Sequence, residues 1–429
     1  MFLLISTCKF LMKRKNTMKT IINYKWLLPL FLVVYAFSGF SQESKVDGWI
    51  QFRGAERDGI SNESLSQFDC SKTQPELVWK KNIGSAFSEL TISEGVVYTM
   101  VSEVVDSLTG TEYLAAFSEE TGDEIWKTKV DSIYFDEDGW GNGTRSTPSI
   151  DDKYIFSFSG HGKLTANLKK DGSFVWQVDF VKEFGSKTPR WGFASSPLLL
   201  NGKVIMEVGG TESRAFMAFN KENGDIVWSS SNGAASHDSP LLATIEGQEQ
   251  IIFANGRTLY SLIPEGDTLW TYNMPFGGAT AIPILIPPNK LFLSAVRNPG
   301  FFVVKVENNK ASEVLKGVSM KNDFSSCVYH EGYIYGFHVA AVRCISAETG
   351  EVKWTKRGYG KGSLILVDDK LIILSDKGKL VIADASPDAY NENCSVQAID
   401  GKSWTAPSFY NGKVFVRNLT EMASYKLID

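Results

Sequence analysis

A set of charged and aromatic side chains between residues 145 and 404 could form one ligand-binding site. Three cationic or potentially cationic residues, Arg145, His237 and Lys361, occupy equivalent positions in separate copies of a sequence repeat. Guanidinium and ammonium groups bind carboxylates and phosphates, and indole rings stack on planar or cationic groups. We therefore predict a site for an anionic or aromatic ligand that is formed by Arg145, Arg190, Trp191, His237, Asp238, Asp323, Lys361 and Trp404.

Two better-known kinds of site are excluded by spacing. The segment 358–363 (GYGKGS) contains glycines and a lysine, but a phosphate-binding loop needs four residues between its glycines and a helix after it, and a strand pattern follows here. His237 and Asp238 are adjacent, so in a strand they point to opposite faces and cannot act together in a triad. The sequence leaves open that the basic groups only line a solvated channel and neutralise carboxylates and carbonyl groups there.

The candidate residues are positioned by a repeated inner strand. Its marker is a small or polar residue, a proline, an apolar run and a turn, as in 195–203 (SSPLLLNGK), and it recurs at Pro148, Pro240, Pro283 and Pro407, with weaker copies at Leu90, Cys327 and Leu364. The mean period is about 45 residues, the length of a four-stranded propeller blade. The third residue before each marker should border the central channel, which selects Phe87, Arg145, Ala194, His237, Thr280, Phe324, Lys361 and Trp404.

A second marker identifies the outer strands. A glycine precedes a tryptophan by four residues at Gly122, Gly172, Gly224, Gly266 and Gly350, and weaker copies lie near Val314 and Val396. The glycine permits a tight turn, and we expect the tryptophan to fill the seam between blades while its N–H finds an acceptor. The strand around Trp79 has no preceding turn, and the last repeat ends before an outer strand. The sequence therefore predicts an all-β, eight-bladed propeller of four-stranded antiparallel blades, in which the Trp79 strand completes the C-terminal blade.

The N-terminal segment predicts export. Residues 1–41 carry six basic and no acidic residues and an apolar run from Trp26 to Phe37, which indicates a signal peptide cleaved before Gln42, with Met18 as an alternative start. The apolar run is shorter than the roughly 20 residues of a spanning helix. We expect a mature protein that does not span the membrane and is located in the periplasm or at the cell surface.

The predicted domains are the signal peptide (1–41), an N-terminal lead that packs on the propeller (42–75) and the propeller itself (76–429). Within the lead, Arg53, Arg57 and Asp58 could belong to a binding surface. The interpretation that we favour is structural, with Trp49 and Phe52 as anchors on one face of the ring.

Charge and cysteine content narrow the classes of partner. Removing residues 1–41 moves the formal net charge from −5 to −11, which argues against nucleic acid. Cys70, Cys327, Cys344 and Cys394 remain, none of them in a CxxC arrangement, so a zinc site is not expected. A disulfide is compatible with export, but its pairing stays open. We expect a monomer whose partner is an envelope protein or a small anionic or aromatic ligand.

The pattern Ala-x-x-x-x-Thr-Gly-x-x-x-Trp, present as Ala116 to Trp126, resembles the repeat of quinoprotein-type β-propellers, which are named for pyrroloquinoline quinone (PQQ). Segments 49–54 (WIQFRG), 145–148 (RSTP), 189–193 (PRWGF) and 357–364 (RGYGKGSL) are similar to secreted bacterial PQQ-like repeat proteins, related to outer-membrane assembly factor and polyvinyl-alcohol dehydrogenase-like proteins. The resemblance covers almost the whole mature chain. It implies the fold more strongly than a function, because one fold hosts many activities.

The resemblance implies two contrasting functions. Quinoprotein dehydrogenases bind PQQ and calcium over the propeller centre, use an Asp as base and commonly carry adjacent cysteines; this chain has no adjacent cysteines and lacks the long insertions of those enzymes. The assembly factor is a non-enzymatic lipoprotein that binds its partner through loops, but here no cysteine lies near the cleavage site. We therefore predict a non-catalytic scaffold without cofactor, metal or catalytic residue. The alternative is a quinoprotein-like alcohol or sugar dehydrogenase that uses PQQ and calcium.

Overall fold

The computed structural model describes residues 46–277, 281–296 and 300–428, which form eight sheets arranged as the blades of a propeller ring. The predicted all-β, eight-bladed fold is confirmed. The predicted signal peptide lies outside the described residues. One short helix occurs in the described part of the chain: α1 (Phe180–Phe184) follows the last strand of blade 2, and the side chain of Asp179 caps its N-terminus.

Two strands precede the first blade, β1 (Ile60–Ser61) and β2 (Glu76–Asn82). Blades 1 to 4 contain β3 (Thr91–Ser93), β4 (Val96–Val104), β5 (Gly110–Ser118), β6 (Glu124–Ser132); β7 (Ser149–Ile150), β8 (Tyr154–Phe158), β9 (Lys163–Leu168), β10 (Phe174–Asp179); β11 (Leu198–Leu200), β12 (Lys203–Gly210), β13 (Arg214–Asn220), β14 (Ile226–Ser230); and β15 (Leu241–Ile245), β16 (Gln248–Asn255), β17 (Thr258–Leu262), β18 (Thr268–Asn273). Blades 5 to 8 contain β19 (Ile284–Ile286), β20 (Lys290–Ser294), β21 (Phe301–Glu307), β22 (Lys310–Gly317); β23 (Val328–His330), β24 (Tyr333–His338), β25 (Ala341–Ser346), β26 (Val352–Arg357); β27 (Ser363–Val367), β28 (Lys370–Leu374), β29 (Lys379–Asp384), β30 (Glu392–Gln397); and β31 (Ser408–Tyr410), β32 (Lys413–Arg417), β33 (Glu421–Lys426).

The repeated tryptophans join neighbouring blades, as their spacing predicts. Trp176 of blade 2 donates its indole N–H to the carbonyl of Lys221 in blade 3 at 3.0 Å, and Trp354 of blade 6 donates to Ser386 of blade 7 at 2.8 Å. Trp270 differs, because its N–H is accepted by Gln250 of its own blade at 2.9 Å. Each of these three buried indole N–H groups therefore has a hydrogen-bond acceptor.

The glycine of the repeat is required for two reasons. Gly122 has a φ of 70°, a left-handed conformation that L side chains rarely adopt. A Cβ atom at Gly122 would also lie 2.7 Å from the indole of Trp79, which belongs to the preceding blade. Gly224 packs on Trp176 in the same way, with a Cβ position 2.9 Å from that ring. The repeated glycine is therefore needed both for the turn within its own blade and for the contact with the tryptophan of the preceding blade.

The ring closes through β2, as the sequence predicts. This strand pairs antiparallel with β33, in the order β2-β33-β32-β31, and Trp79 lies opposite Ser424. One continuous apolar core joins blades 7, 8 and 1 across this closure and includes Ile372, Phe415 and Val97. Blade 8 is therefore built from both ends of the described chain.

A fully buried arginine supports the same closure. The guanidinium of Arg417, in β32 of blade 8, donates through Nη1 to the carbonyls of Ser88 (3.2 Å) and Met100 (2.9 Å) and to the hydroxyl of Thr99 (2.7 Å). All three acceptors lie in or next to blade 1. The guanidinium therefore satisfies buried acceptors on the opposite side of the seam.

The lead contacts the starts of the inner strands of blades 3 and 6 through two buried arginines. Arg57 donates to the carbonyls of Pro197 (2.7 Å) and Ser196 (3.1 Å) in blade 3. Arg53 donates to the carbonyl of Cys327 (2.7 Å) in blade 6. The exposed fractions of Arg53 and Arg57 are 2% and 1%, so both guanidiniums are structural donors rather than surface charges.

Two further links tie the lead to blade 7. Strand β1 pairs in parallel with the inner strand β27, which adds a fifth strand to that sheet, with Ile60 opposite Leu366. A disulfide joins Cys70 to Cys394 in β30, across a sequence separation of 324 residues. Cys327 and Cys344 are free and buried.

Candidate functional site

A cavity of about 280 Å³ lies where the inner strands begin, at the channel mouth that the marker positions predict. Seven of the eight residues selected by the repeat line this cavity: Phe87, Arg145, Ala194, His237, Phe324, Lys361 and Trp404. Thr280 lies outside the described residues. The agreement has a simple reason, because one position in each blade is brought to the ring axis by the near-rotational symmetry of a propeller.

Six of the eight predicted site residues are brought together in the cavity: Arg145, Trp191, His237, Asp323, Lys361 and Trp404. Arg190 is next to Trp191 in sequence but its side chain is 73% exposed and pairs with Asp138 at 2.9 Å. Asp238 is buried, with an exposed fraction of 2%, and is not part of the cavity lining.

An aromatic cluster forms one wall of the cavity. The ring of Trp404 lies 6.0 Å from Phe87, 5.5 Å from Trp140 and 5.0 Å from Phe324, measured between centroids. These four residues come from separate blades or loops and all line the cavity. We call them the aromatic wall. Trp191 lies on another side, with its ring 5.2 Å from that of His237.

Both predicted cations of the inner strands are paired within the chain. Lys361 Nζ lies 2.6 Å from Asp323 Oδ2. Arg145 Nη2 lies 3.3 Å from Asp136 Oδ1, and the guanidinium also donates to the carbonyls of Gly141 and Gly143. Burial lowers the pKa of Arg145, and the Asp136 charge opposes that shift. Each of these two positive charges is therefore balanced by a carboxylate of the same chain.

Two residues of the lead also line the cavity. Phe52 and Arg53 line it together with Glu89, whose carboxylate accepts a hydrogen bond from Arg53 N at 2.8 Å. Burial raises the pKa of Glu89 to about 7, although the backbone N–H and the charge of Arg53 oppose the shift. Burial, together with the charge of Arg145, lowers the pKa of His237 to about 4, so His237 is neutral at physiological pH.

The sequence interpretation missed several groups that line the cavity, among them Trp140, Glu89 and Phe52. Trp140 lies in the glycine-rich loop 139–143 between blades 1 and 2, and its only signal is a tryptophan outside the repeat. Glu89 directly precedes the weak marker at Leu90, so an acidic residue at the start of an apolar strand could have identified it. Phe52 was expected as an anchor, and it also faces the cavity.

Asp238 belongs to a separate buried acidic pair. Neither of its carboxylate oxygens has a hydrogen-bond partner among the described residues, and burial followed by the charge of Glu207 raises its pKa well above the ordinary value. Glu207 accepts hydrogen bonds from Ser236 N at 3.0 Å and from Asn255 Nδ2 at 2.5 Å. Burial nevertheless raises the pKa of Glu207 to about 7.

The described residues contain no group of three or more His, Cys, Asp or Glu side chains arranged to hold a metal ion. Calcium in proteins takes six to eight oxygen ligands, so the described lining does not match the donor set that calcium prefers.

Among the described residues, no helix has the length and apolar character needed to cross a membrane.

A family model described as outer membrane protein assembly factor BamB matches residues 110–286. BamB from Moraxella catarrhalis superimposes with a TM-score of 0.56 at 12% identity, over 82% of this chain and 98% of that one. Quinohemoprotein alcohol dehydrogenase from Comamonas testosteroni superimposes with a TM-score of 0.64 at 12% identity, over 90% of this chain and 81% of that one. At such identities the structures show a shared fold.

A curated relative matches a smaller part. Quinoprotein alcohol dehydrogenase PedH from Pseudomonas putida is 25% identical over 116 residues, which are 26% of this chain and 17% of that enzyme. The matched part thus spans less than a fifth of the relative. Together with the family model and the structures, this match confirms the resemblance to PQQ-like propellers.

Proposed function

We propose that this PQQ-like propeller is an exported, non-catalytic binding or assembly scaffold of the cell envelope. The observation that carries the proposal is the pairing of the cavity's cations. Lys361 and Arg145 are engaged by Asp323 and Asp136, and Arg53 by backbone carbonyls, so the groups that would hold a charged substrate already have intramolecular partners. The match to the BamB family model supports a role in envelope assembly through protein contacts.

Glu89 and His237 are two groups of the described lining that bear on acid–base chemistry. The pKa of Glu89 is raised to about 7, but its carboxylate already accepts a hydrogen bond from Arg53 N at 2.8 Å. A general base must lie within hydrogen-bond reach of the group that it deprotonates, and a nucleophile is activated by such a base. His237 is neutral at physiological pH, and its Nε2 atom is buried without a hydrogen-bond partner among the described residues. Its nearest aromatic contact is Trp191, which cannot accept a proton.

A quinoprotein-like oxidoreductase is the second candidate, favoured by the cations and indole rings at the channel mouth and by the match to PedH. PQQ is a planar tricarboxylate, so its binding would require cations and a stacking surface, and calcium would require several oxygen ligands. The stacking surface is present. The cations are paired, and the described residues lack a metal-binding cluster, so the donor set fits the quinone and calcium poorly.

Titration with PQQ and calcium separates the two candidates. We expect no tight complex by calorimetry and no reduction of an artificial dye with a panel of alcohols, because binding would have to break two ion pairs. The variants Arg145→Ala and Lys361→Ala are the informative ones, and Arg190→Ala is the matched control because Arg190 lies outside the cavity. Sub-micromolar binding that is lost in the first two variants but kept in the control would overturn the scaffold proposal.

Export is proposed from the signal-like residues 1–41 and supported by the disulfide between Cys70 and Cys394, since disulfides persist in oxidising compartments. We expect mass spectrometry of the protein from its native host to show Gln42 at or near the N-terminus and one disulfide linking Cys70 to Cys394. Recovery of intact residues 1–41, or of Cys70 and Cys394 as free thiols, would contradict export.

A further inference from the structure

We infer that the channel mouth binds the end of an uncharged saccharide, with one sugar ring against the aromatic wall and its hydroxyls on the Lys361–Asp323 pair. This inference deepens the proposed function, because it names the class of ligand that the scaffold holds. It rests on the composition of the aromatic wall, on the pairing of the charges around it, and on the size of the cavity.

The aromatic wall offers an extended apolar surface with polar edges. Phe87 and Trp404 are stacked with an interplanar angle of 19°, and Phe324 and Trp140 extend the surface on either side. Trp140 is 43% exposed, so the wall continues to the rim of the cavity. A pyranose ring has a face of C–H groups and an edge of hydroxyl groups. The C–H face can pack on aromatic rings while the hydroxyl groups stay available for hydrogen bonds.

The charges around the wall disfavour an ionic ligand of either sign. An anion would have to displace Asp323 from Lys361 or Asp136 from Arg145. A cation would have to compete for rings that already face intramolecular cations, since Lys402 Nζ lies 4.6 Å from the centroid of Trp404 and Arg145 Cζ lies 5.2 Å from that of Phe87. An uncharged ligand does not have to break either ion pair.

The Lys361–Asp323 pair suits hydroxyl groups. An ammonium only donates hydrogen bonds and a carboxylate only accepts them, whereas a hydroxyl does both. The two atoms lie 2.6 Å apart, and their side chains are 40% and 30% exposed. Two neighbouring hydroxyls of one sugar can therefore contact the pair without separating it.

The size of the cavity limits how much of such a ligand it can hold. Phe52 and Arg53 line the cavity from the lead, and Arg53 is fixed to the carbonyl of Cys327 and through its N–H to Glu89. A cavity of about 280 Å³ is slightly smaller than the roughly 300–1,000 Å³ that is usual for small-molecule sites. The site accordingly takes a terminal sugar unit and not the interior of a polymer.

Calorimetry and tryptophan fluorescence on the mature protein test the inference with glucose, galactose, mannose, maltose and cellobiose, alongside glucuronate and glucosamine as charged analogues. We expect at least one neutral sugar to bind and to change the fluorescence, and both charged analogues to bind more weakly. Trp404→Ala should weaken that binding by about tenfold. The double variant Lys361→Met, Asp323→Asn, which removes both charges together, should weaken it as well, while Phe174→Ala, an exposed aromatic on outer strand β10, serves as the matched control.

Absence of binding by all five neutral sugars, equal binding of the charged analogues, or unchanged affinity in a folded Trp404→Ala variant would overturn the inference. The thermal melting of each variant establishes that it is folded. If no sugar binds and PQQ also fails to bind, the saccharide inference falls while the scaffold proposal stands. If PQQ binds tightly and alcohols are oxidised, the scaffold proposal itself is wrong.

Discussion

Replacing Trp79 by alanine is expected to lower the free energy of unfolding by about 3 to 5 kcal/mol, the usual cost of truncating a buried tryptophan. Trp79 is 6% exposed, lies 6.2 Å from Phe415 and donates its N–H to the carbonyl of Glu119 at 2.8 Å. The substitution would open a void in the seam and leave that carbonyl without its donor. Because β2 is the strand that closes the ring, the void lies where the two ends of the described chain meet.

Chemical denaturation followed by circular dichroism measures this loss. The matched control is Phe174→Ala, which removes an aromatic ring from the outer strand of blade 2 where it is 64% exposed, and which should change the stability by less than about 0.5 kcal/mol. A Trp79→Ala variant that unfolds at the same denaturant concentration as the parent would show that the Trp79 side chain contributes nothing to the closure. If the unfolding transition of the variant is both less cooperative and shifted to lower denaturant, the ring opens before the blades unfold.

The second large effect concerns how the stability of the protein depends on pH. We expect the protein to be less stable at about pH 8 than at about pH 5, because buried carboxyl groups have raised pKa values. Burial raises the pKa of Glu207 from 4.5 to about 7. In this window the folded state keeps a proton on Glu207 that the unfolded state has lost, so the contribution of Glu207 to stability falls as pH rises. Glu89, whose pKa is also raised to about 7, adds to this effect, whereas His237, whose pKa is lowered from 6.5 to about 4, opposes it below about pH 6.5. At about 1.4 kcal/mol per pKa unit, Glu207 alone accounts for roughly 3 kcal/mol.

Asp238 contributes in the same direction, because burial and the nearby charge of Glu207 raise its pKa well above the ordinary value. The Asp238→Asn variant keeps the shape of the neutral acid and cannot ionise, so its stability should fall less between about pH 5 and about pH 8. Urea unfolding at both pH values checks this expectation, with the exposed Glu120→Gln variant as control. A parent that becomes more stable over this range, or an Asp238→Asn variant with an unchanged slope, would contradict it.

The repeat markers account for most of what could be predicted about the fold. The glycine-to-tryptophan spacing predicts the blades correctly because it reflects both a turn with positive φ, as at Gly122, and a contact with the preceding blade, as at Trp79. The unmatched Trp79 strand predicts the closure for a related reason, since a ring of eight blades needs one outer strand more than the C-terminal repeat provides.

The location of the cavity also followed from the repeat, but its chemistry did not. Positions equivalent to Arg145, Lys361 and Trp404 meet at the axis by symmetry, so counting three residues back from each marker was sufficient to find them. The partners Asp136 and Asp323 come from loops whose conformation the repeat does not determine. Counting alone therefore could not distinguish paired cations from available ones.

The sequence by itself determined the number of blades, the strand that closes the ring and the residues at its axis, because these features depend on a short period that is repeated many times. Only the tertiary structure decided the pairing of Cys70 with Cys394, the contacts of Arg53 with blade 6 and of Arg57 with blade 3, and the place of Trp140 in the aromatic wall. Each of these contacts occurs once and joins residues that are far apart in the chain. Such contacts follow from how the closed ring brings distant segments together, and no local pattern of residues records that geometry.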